Sequence, residues 1–171
     1  MSNIPSTPSD GNIKTILVPA IANPAAPTVA ELTGASVEDI SCYLTKDGFA
    51  LTVDQATITD ERLCSTQVFG KPGTKTYGLS LTGIDNTNTE FEATDNVLVD
   101  TLVEGASMYL VRRRGKAFDA AITADDKVTV IPFDVGVKQD VAPEANSVIR
   151  STWTQFVSGD VETDVAVVAG P

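Results

Sequence analysis

The chain has 171 residues, of which 42% are hydrophobic and 20% are charged. These fractions are close to globular averages, so general disorder is not expected. No apolar run approaches the roughly 20 residues of a membrane-spanning helix, and the N-terminus lacks the basic and apolar regions of a secretory signal. The formal net charge of −11 argues against nucleic-acid binding, because affinity for DNA comes largely from cations that neutralise phosphates.

The first 27 residues hold five of the nine prolines. Proline fixes φ and removes a backbone donor, so residues 1–27 are predicted to form an N-terminal arm or extended lead-in rather than core. Residues 14–18 are the one stretch in this segment with the pattern of a strand. Residues 28–171 are predicted to form a single domain with a single hydrophobic core.

The next segment predicts a short helix followed by strands and turns. Thr28 and Glu31 have the spacing of a capping box, so a helix of about two turns should begin there. Alternating apolar residues predict strands over residues 40–45, 49–59, 63–69 and 77–82.

Two turn-like segments separate these predicted strands, KDG at 46–48 and GKPG at 70–73. The second lacks the Gly-Lys-Ser/Thr order of a phosphate loop, so we interpret it as a hairpin turn. Cys42 and Cys64 lie in strand-like stretches, and we expect free thiols that pack as small buried hydrophobes.

A longer helix is predicted over residues 96–104, capped by Asp95 and ended by Gly105. A strand over 107–111 leads into the basic run that contains Arg112, Arg113 and Arg114. We interpret this run as a strand end whose arginines pair with nearby carboxylates. The alternative is the positive half of a subunit contact.

The last third predicts three strands over residues 127–139, 147–157 and 161–168, with a polar bend at 140–146. The apolar phase of the first of these strands changes around Pro132, which predicts a bulge. The fold class that follows is mainly β, an antiparallel sandwich or barrel with one flanking α-helix and an extended N-terminal arm.

The side chains needed for most catalytic sites are missing from the sequence. With no histidine there is no histidine-based triad, Cys–His dyad or imidazole metal ligand. The adjacent carboxylates at 60–61 and 125–126 have the pattern of solvated turns, with a weak cation site as the alternative. Trp153 is expected in the core or an interface. We therefore expect no enzymatic activity, metal or cofactor.

Several strand and turn motifs resemble the major tail tube protein of long-tailed, non-contractile bacteriophages, in particular the type from phages of actinobacteria. The resemblance covers roughly residues 28–169. The motifs that carry it are CYL at 42–44, DGF at 47–49, TDERLCS at 59–65, GVKQ at 136–139, PEANSV at 143–148, FVSG at 156–159 and DVAVV at 164–168.

This resemblance implies a structural virion protein that assembles into stacked hexameric rings around a channel for genome passage. Its implied partners are further copies of itself, a tape-measure protein, and tail terminator and tail-tip proteins. DNA would pass without specific binding, no membrane would be involved, and assembly would take place in the bacterial host cytoplasm. The family implies no cofactor and no catalysis.

Two sets of residues are candidates for these roles. A negative channel wall would repel DNA phosphates, and its candidate lumen carboxylates are Asp54, Asp60, Glu162 and Asp164. Candidate subunit-interface residues are Arg62, Arg112, Arg113, Arg114, Pro143, Glu144 and Asn146.

Three alternatives remain open at the level of sequence. A monomeric β-sandwich binding module is disfavoured by the 6% aromatic content and single tryptophan. A carboxylate-based hydrolase lacks supporting motifs. A secretion-tube-like ring protein has the same expected composition.

Overall fold

A computed structural model of the chain describes residues 4–170. Within these residues it contains two short helices and nine strands. The helices are α1 Val29–Leu32 and α2 Val97–Thr101, and the strands are β1 Ile13–Val18, β2 Glu38–Asp39, β3 Leu44–Asp60, β4 Phe69–Ile84, β5 Ser107–Arg114, β6 Lys127–Asp134, β7 Lys138–Asp140, β8 Arg150–Val157 and β9 Glu162–Ala166.

The strands form one antiparallel sheet in the order β2-β1-β5-β6-β8-β4-β3, with β7 paired to β8 and β9 paired to β6. The two ends of this order, β2 and β3, are joined by residues 40–43, and the Leu44 amide bonds the Ile40 carbonyl. Because this connection is so short, the sheet must curve until its end strands, β2 and β3, lie close together. The mainly antiparallel β fold class is therefore confirmed, with barrel-like closure.

The prediction of a single core is wrong, because β1, β5 and β6 are buried on both faces. The first core contains Leu17, Ile40, Leu79, Leu81, Leu98, Leu102, Met108, Leu110, Ile131, Phe133, Val135 and Trp153. The second core contains Ile16, Val18, Ile21, Leu32, Val111, Ile122, Val128, Val130 and Val167. Neighbouring residues of one strand enter different cores, since successive side chains point to opposite faces.

This double burial also explains the apolar phase change in β6. Val128 and Val130 enter the second core, whereas Ile131 and Phe133 enter the first. The predicted bulge at Pro132 is wrong for the ladder with β5, whose register is continuous. The irregularity lies on the other side of β6, where β9 shifts register between Val128 and Val130.

The N-terminal segment contributes to the core, contrary to prediction. Ile16, Leu17 and Val18 are at most 2% exposed, and β1 pairs with β5 along its whole length. The side chains of β1 are buried on both faces of the sheet. The stabilisation from this burial outweighs the effect of the surrounding prolines. The domain boundary at residue 27 stays a prediction, and residues 1–3 and 171 lie outside the described residues.

The structure differs from four predicted elements in the middle of the chain. Residues 40–43 form a turn after β2 rather than a strand, and 46–48 form a bulge inside β3 rather than a turn between strands. A Cβ at Gly48 would lie 2.0 Å from the Thr82 carbonyl oxygen, so the bulge requires glycine. Residues 61–68 connect β3 to β4 instead of forming the start of the predicted strand over 63–69. The predicted GKPG turn lies within β4, where residues 70–72 pair with residues 57–59 of β3.

The two helices differ in how well the sequence predicts them. The capping box of α1 is confirmed, since the Thr28 side chain accepts from the Glu31 amide and the Glu31 carboxylate accepts from the Thr28 amide. Helix α2 ends at Thr101, three residues short of the prediction. Its N-cap is Asn96 rather than Asp95, and the Asn96 side-chain oxygen accepts from the Asn86 amide instead of capping the helix. Neither helix is long and apolar enough to cross a membrane, within the described residues.

The predicted C-terminal strand over residues 127–139 is divided into β6 and β7 at residues 135–137. A Cβ on Gly136 would lie 1.9 Å from the Thr154 carbonyl oxygen, so glycine permits the chain to cross β8 closely at this break. Trp153 of β8 is 1% exposed and belongs to the first core. Both cysteines are exposed, contrary to prediction, because each lies in a loop rather than a strand.

Candidate functional site

Strands β3 and β4 extend well beyond the rest of the sheet. Strand β8 pairs with β4 from Leu79 to Ile84, and before Leu79 no third strand covers the hairpin within the described residues. We call residues 52–76 the distal hairpin. None of these residues is buried.

The distal hairpin carries large apolar side chains in contact with solvent. Five are exposed by about half or more, namely Val53 54%, Ile58 56%, Leu63 110%, Val68 58% and Phe69 47%. A two-stranded hairpin is marginally stable by itself, and its free edges can pair with another chain. The segment therefore has the properties of a surface that a partner covers.

Ionic contacts hold the tip of the distal hairpin. The Arg62 guanidinium donates to both Asp60 carboxylate oxygens at 2.9 and 3.2 Å, and the Lys71 ammonium lies 3.4 Å away. These contacts lower the pKa of Asp60, with Arg62 as the largest cause. Asp60 is thus neutralised within its own chain. Glu61, Leu63 and Cys64 are exposed beside it.

The three arginines of β5 have different environments. Arg113 is 2% exposed, and its guanidinium donates to the carbonyls of Ala117, Ala120 and Ala121 and to the Asp126 carboxylate at 3.2 Å. Arg113 therefore holds the loop before β6 in place through hydrogen bonds within the chain. Its burial and these internal hydrogen bonds leave little of Arg113 for contact with another subunit, and its assignment to a subunit interface stays a prediction.

Asp126 has further contacts besides Arg113. Burial opposes its ionisation, but hydrogen bonds from Lys116, the Thr123 amide and Arg113 outweigh burial and hold its pKa below the usual value. Arg114 lies at the surface, 3.6 Å from Asp164 of β9. The interpretation that this run pairs with nearby carboxylates therefore applies to Arg113 and Arg114.

Arg112 is the exception. Its guanidinium carbon lies 4.0 Å from the centre of the Phe49 ring, and its Nε is buried without a hydrogen-bond partner. No carboxylate lies within ion-pair distance among the described residues. Burial, followed by repulsion from Arg114, lowers its pKa.

Arg112 lines a cavity of about 410 Å³, which we call the Arg112 pocket. Its walls come from β1, β3, β5, the turn before β3, residues 9–11 before β1 and the loop after β5. The lining residues used below are Ile13, Cys42, Leu44, Phe49, Arg112 and Phe118.

The bend between β7 and β8 is a third exposed region. Pro143, Glu144 and Asn146 are all exposed, and Glu144 lies 3.1 Å from Arg150. Asn146 has a φ of 60°, in the left-handed region that asparagine tolerates.

An internal ion pair anchors this bend to the end of β4. Asp85 is 6% exposed and accepts from Ser151 at 2.5 Å and from Thr87, with the Lys138 ammonium also at 2.5 Å. Burial opposes its ionisation, but the bonds from Lys138, Ser151 and Thr87 outweigh burial and hold the pKa of Asp85 far below its usual value.

The candidate lumen carboxylates lie in two separate places. Asp54 and Asp60 belong to the distal hairpin, whereas Glu162 and Asp164 belong to β9, which pairs with β6. Asp60 and Asp164 have ion-pair partners, and Asp54 and Glu162 have none among the described residues. The structure therefore does not bring the four together in one chain.

The candidate interface residues are likewise dispersed over the tip, β5 and the bend. The sequence patterns did not predict the exposed apolar residues of the distal hairpin or the Asp85 network. The hairpin had a detectable signal, since apolar residues continue past residue 55 at Ala56 and Ile58, with their phase changed by one residue. Among residues 4–170, no group of three or more carboxylate, thiolate or imidazole side chains gathers in a geometry suited to a metal ion.

Comparison with known proteins gives one strong and two weak similarities. A family model described as phage tail tube protein matches residues 1–170. Among curated protein sequences, none matches this chain.

Two solved structures resemble the fold at 13% sequence identity. A chain from the cryo-EM structure of the anti-feeding prophage baseplate, 6-fold symmetrised, has a TM-score of 0.49, covering 97% of this chain and 99% of that one. A chain from the virion of a native gene transfer agent particle has a TM-score of 0.45, covering 93% and 98%. Both likenesses are weak, so the assignment rests on the family model. Since that model spans nearly the whole sequence, this chain belongs to the phage tail tube protein family and is a structural component of the phage virion.

Proposed function

We propose that the protein is the repeating subunit of a phage tail tube, self-assembling into stacked hexameric rings whose channel passes the genome. The observation that carries this proposal is the distal hairpin. Its residues 52–76 include no buried side chain and five exposed large apolar ones.

The distal hairpin supports self-assembly on energetic grounds. Burying apolar surface stabilises a contact by about 25 cal/mol per Å², and paired strand edges satisfy backbone groups that a monomer leaves to solvent. A neighbouring copy would supply both the apolar surface that covers the hairpin and a strand edge that pairs with it. Assembly of this kind is heterologous, since the hairpin of one copy contacts a different surface on the next, which permits rings and stacks.

The bend at Pro143, Glu144 and Asn146 is the second proposed contact. It lies at the Ile84 end of β4, whereas the hairpin tip lies at the Phe69 end. A subunit with contact surfaces at the two ends of its longest strands has one surface for each neighbour along a stack. Arg62 at the tip and Arg112 and Arg114 on β5 are the proposed cationic contacts.

The charge of the chain supports passage of DNA without binding. A channel wall built from subunits that each have a net charge of −11 repels the DNA phosphates and keeps the DNA mobile. Asp54 and Glu162 are the stronger lumen candidates, because their carboxylates have no cationic partner among the described residues. Asp60 and Asp164 are the weaker ones, because a basic side chain already neutralises each.

The remaining parts of the proposal follow from the tail tube family. The rings stack around a tape-measure protein, join terminator and tip proteins at the tube ends, and assemble in the bacterial host cytoplasm. The subunit acts mechanically and has no catalytic role.

Microscopy with a matched pair of variants tests the proposal. Purified protein is examined over a concentration series by negative-stain electron microscopy and sedimentation velocity. A second variant replaces residues 54–76 with an Asn-Gly turn, which joins the paired residues Val53 and Tyr77 and closes a short hairpin. We expect rings or hollow tubes from the full chain and folded monomers from the shortened one. A full chain that stays monomeric at every concentration, with or without a tape-measure fragment, would contradict the proposal.

A further inference from the structure

The Arg112 pocket contains a guanidinium that has no ion-pair partner among the described residues. The one carboxylate in the pocket wall, that of Asp10, lies 3.2 Å from the Lys46 ammonium instead. The guanidinium lies against the Phe49 ring, its Nε is buried without a partner, and Ile13, Leu44 and Phe118 line the same cavity. A half-buried charge without a counter-ion is costly. The chemistry that fits is a carboxylate next to an aliphatic side chain.

The tip of the distal hairpin offers that combination. Leu63 is 110% exposed. Glu61, two residues before it, has no ion-pair partner among the described residues, whereas Asp60 is already held by Arg62 and Lys71. Loop residues 90–92 also combine a phenylalanine with carboxylates, but Phe91 is 51% exposed and lies outside the projecting hairpin.

The tip of one copy does not reach its own pocket. Phe49 lines the pocket, and Asp60, where the loop begins, is eleven residues further along β3. At about 3.3 Å per residue the two are separated by roughly 36 Å of regular strand. An occupant from the hairpin tip must therefore come from a second copy.

We infer that the Arg112 pocket of each subunit receives the hairpin tip of a second copy, with Leu63 between the apolar walls and Glu61 against the guanidinium. This inference rests on the proposed self-assembly and names the surface that the distal hairpin contacts. The contact is head-to-tail, because tip and pocket are different surfaces of the same chain.

The two cysteines provide a native probe of this contact. Cys42 lines the pocket and Cys64 follows Leu63 at the tip, and both thiols are free and exposed. Docking brings Cys64 of one copy to the pocket that contains Cys42 of the next. A disulfide requires Cα atoms within about 7 Å, so a bond between them reports close docking.

The test is oxidation of assembled protein with diamide, followed by non-reducing gel electrophoresis. Two thiols lose two protons and two electrons to form one disulfide, and diamide is reduced to its hydrazine. We expect a ladder of dimers, trimers and longer species, since each copy has one thiol of each kind. Cys42→Ser and Cys64→Ser should each abolish the ladder. An equal mixture of the two variants should give dimers and nothing longer.

Other patterns on the gel would overturn the inference. Dimers from Cys42→Ser alone would show that tips contact tips. The absence of cross-links in assembled protein would show that the tip docks elsewhere, including through a pocket filled by loop 90–92.

A charge exchange tests the ion pair separately. Arg112→Glu and Glu61→Arg should each raise the concentration needed for assembly by about tenfold, and the double variant should return it to within about threefold of the original protein. Lys127→Glu and Glu104→Arg, exposed charges without an assigned role, serve as matched controls. Circular dichroism checks that each variant is folded.

The outcomes separate this inference from the proposed function. If tubes form and need the distal hairpin, but no ladder and no charge rescue appear, the pocket assignment alone is wrong. If the full chain forms no assembly at any concentration, both are wrong.

Discussion

The two halves of the β3–β4 hairpin differ in what covers them. Next to the body, Leu79 and Leu81 of β4 are at most 2% exposed and belong to the first core. In the distal half of the same strand, Phe69 is 47% exposed, and Ile58 on the paired strand β3 is 56% exposed. One continuous ladder therefore serves two purposes. Its proximal half stabilises the monomer. Its distal half presents apolar surface that contributes little to stability until a neighbouring subunit covers it.

The largest expected effect is in the first core. Phe133→Ala should lower the free energy of unfolding by about 4 kcal/mol, because a fully buried aromatic side chain leaves a cavity. Phe69→Ala in the distal hairpin is the matched control and should cost less than about 1 kcal/mol. Urea denaturation of monomeric protein measures both. Equal losses would show that the hairpin is packed on the body after all.

A slightly smaller effect is expected at the buried ion pair. Arg113→Ala should cost about 3 kcal/mol, since it removes the guanidinium donors of the buried Asp126 carboxylate and of three loop carbonyls. Arg114→Ala, one residue along and 62% exposed, should cost less than about 0.5 kcal/mol. If the two variants unfold at the same urea concentration, Arg113 does not stabilise the loop before β6.

Asp85 gives an effect that depends on pH. Its folded-state pKa is depressed, so its contribution is present above the unfolded pKa of about 3.9 and is lost as pH falls through the folded value. Asp85→Asn should therefore cost about 2 kcal/mol at pH 7, and less as the pH falls below about 4. Thermal unfolding across pH 3–7 measures this dependence. Asp54→Asn in the distal hairpin should give the same unfolding profile as the original chain, and a constant penalty for Asp85→Asn at every pH would refute the ion-pair explanation.

The smallest effect on stability, with the largest on assembly, is expected in the distal hairpin. Ile58→Ser should change the free energy of unfolding by less than about 0.5 kcal/mol, because the side chain is already exposed. It should nevertheless weaken tube formation, which light scattering over a concentration series follows. Thr74→Ser on the same hairpin is the control. Unimpaired assembly of Ile58→Ser would mean that the hairpin apolar surface is not an interface.

Local sequence patterns predicted the parts of the fold that local chemistry decides. The Thr28–Glu31 capping box, the mainly antiparallel fold class and the return strand β8 all follow from short-range spacing. The family resemblance was also visible in strand and turn motifs. Candidate site residues were less predictable, because a basic run looks the same whether its members are buried, paired or free.

The failures have a common physical cause. GKPG has the composition of a turn, yet pairing with β3 holds it in a strand, where a register shift between Gln55 and Thr57 accommodates the proline. Strands β1, β5 and β6 are buried on both faces, so their apolar residues do not keep to alternate positions. When a single core is assumed, this pattern resembles a bulge that shifts the alternation.

The sequence by itself determined the strand-rich character of this protein, its negative charge and its membership of the tail tube family, since these depend on composition and short motifs. Tertiary structure alone decided which apolar residues are covered and which arginine lacks a counter-ion. Burial and ion pairing depend on residues far apart in the chain, such as Arg112 and Phe49. The last third of the chain supplies four of the twelve buried residues of the first core, and the exposed distal hairpin lies between residues 52 and 76.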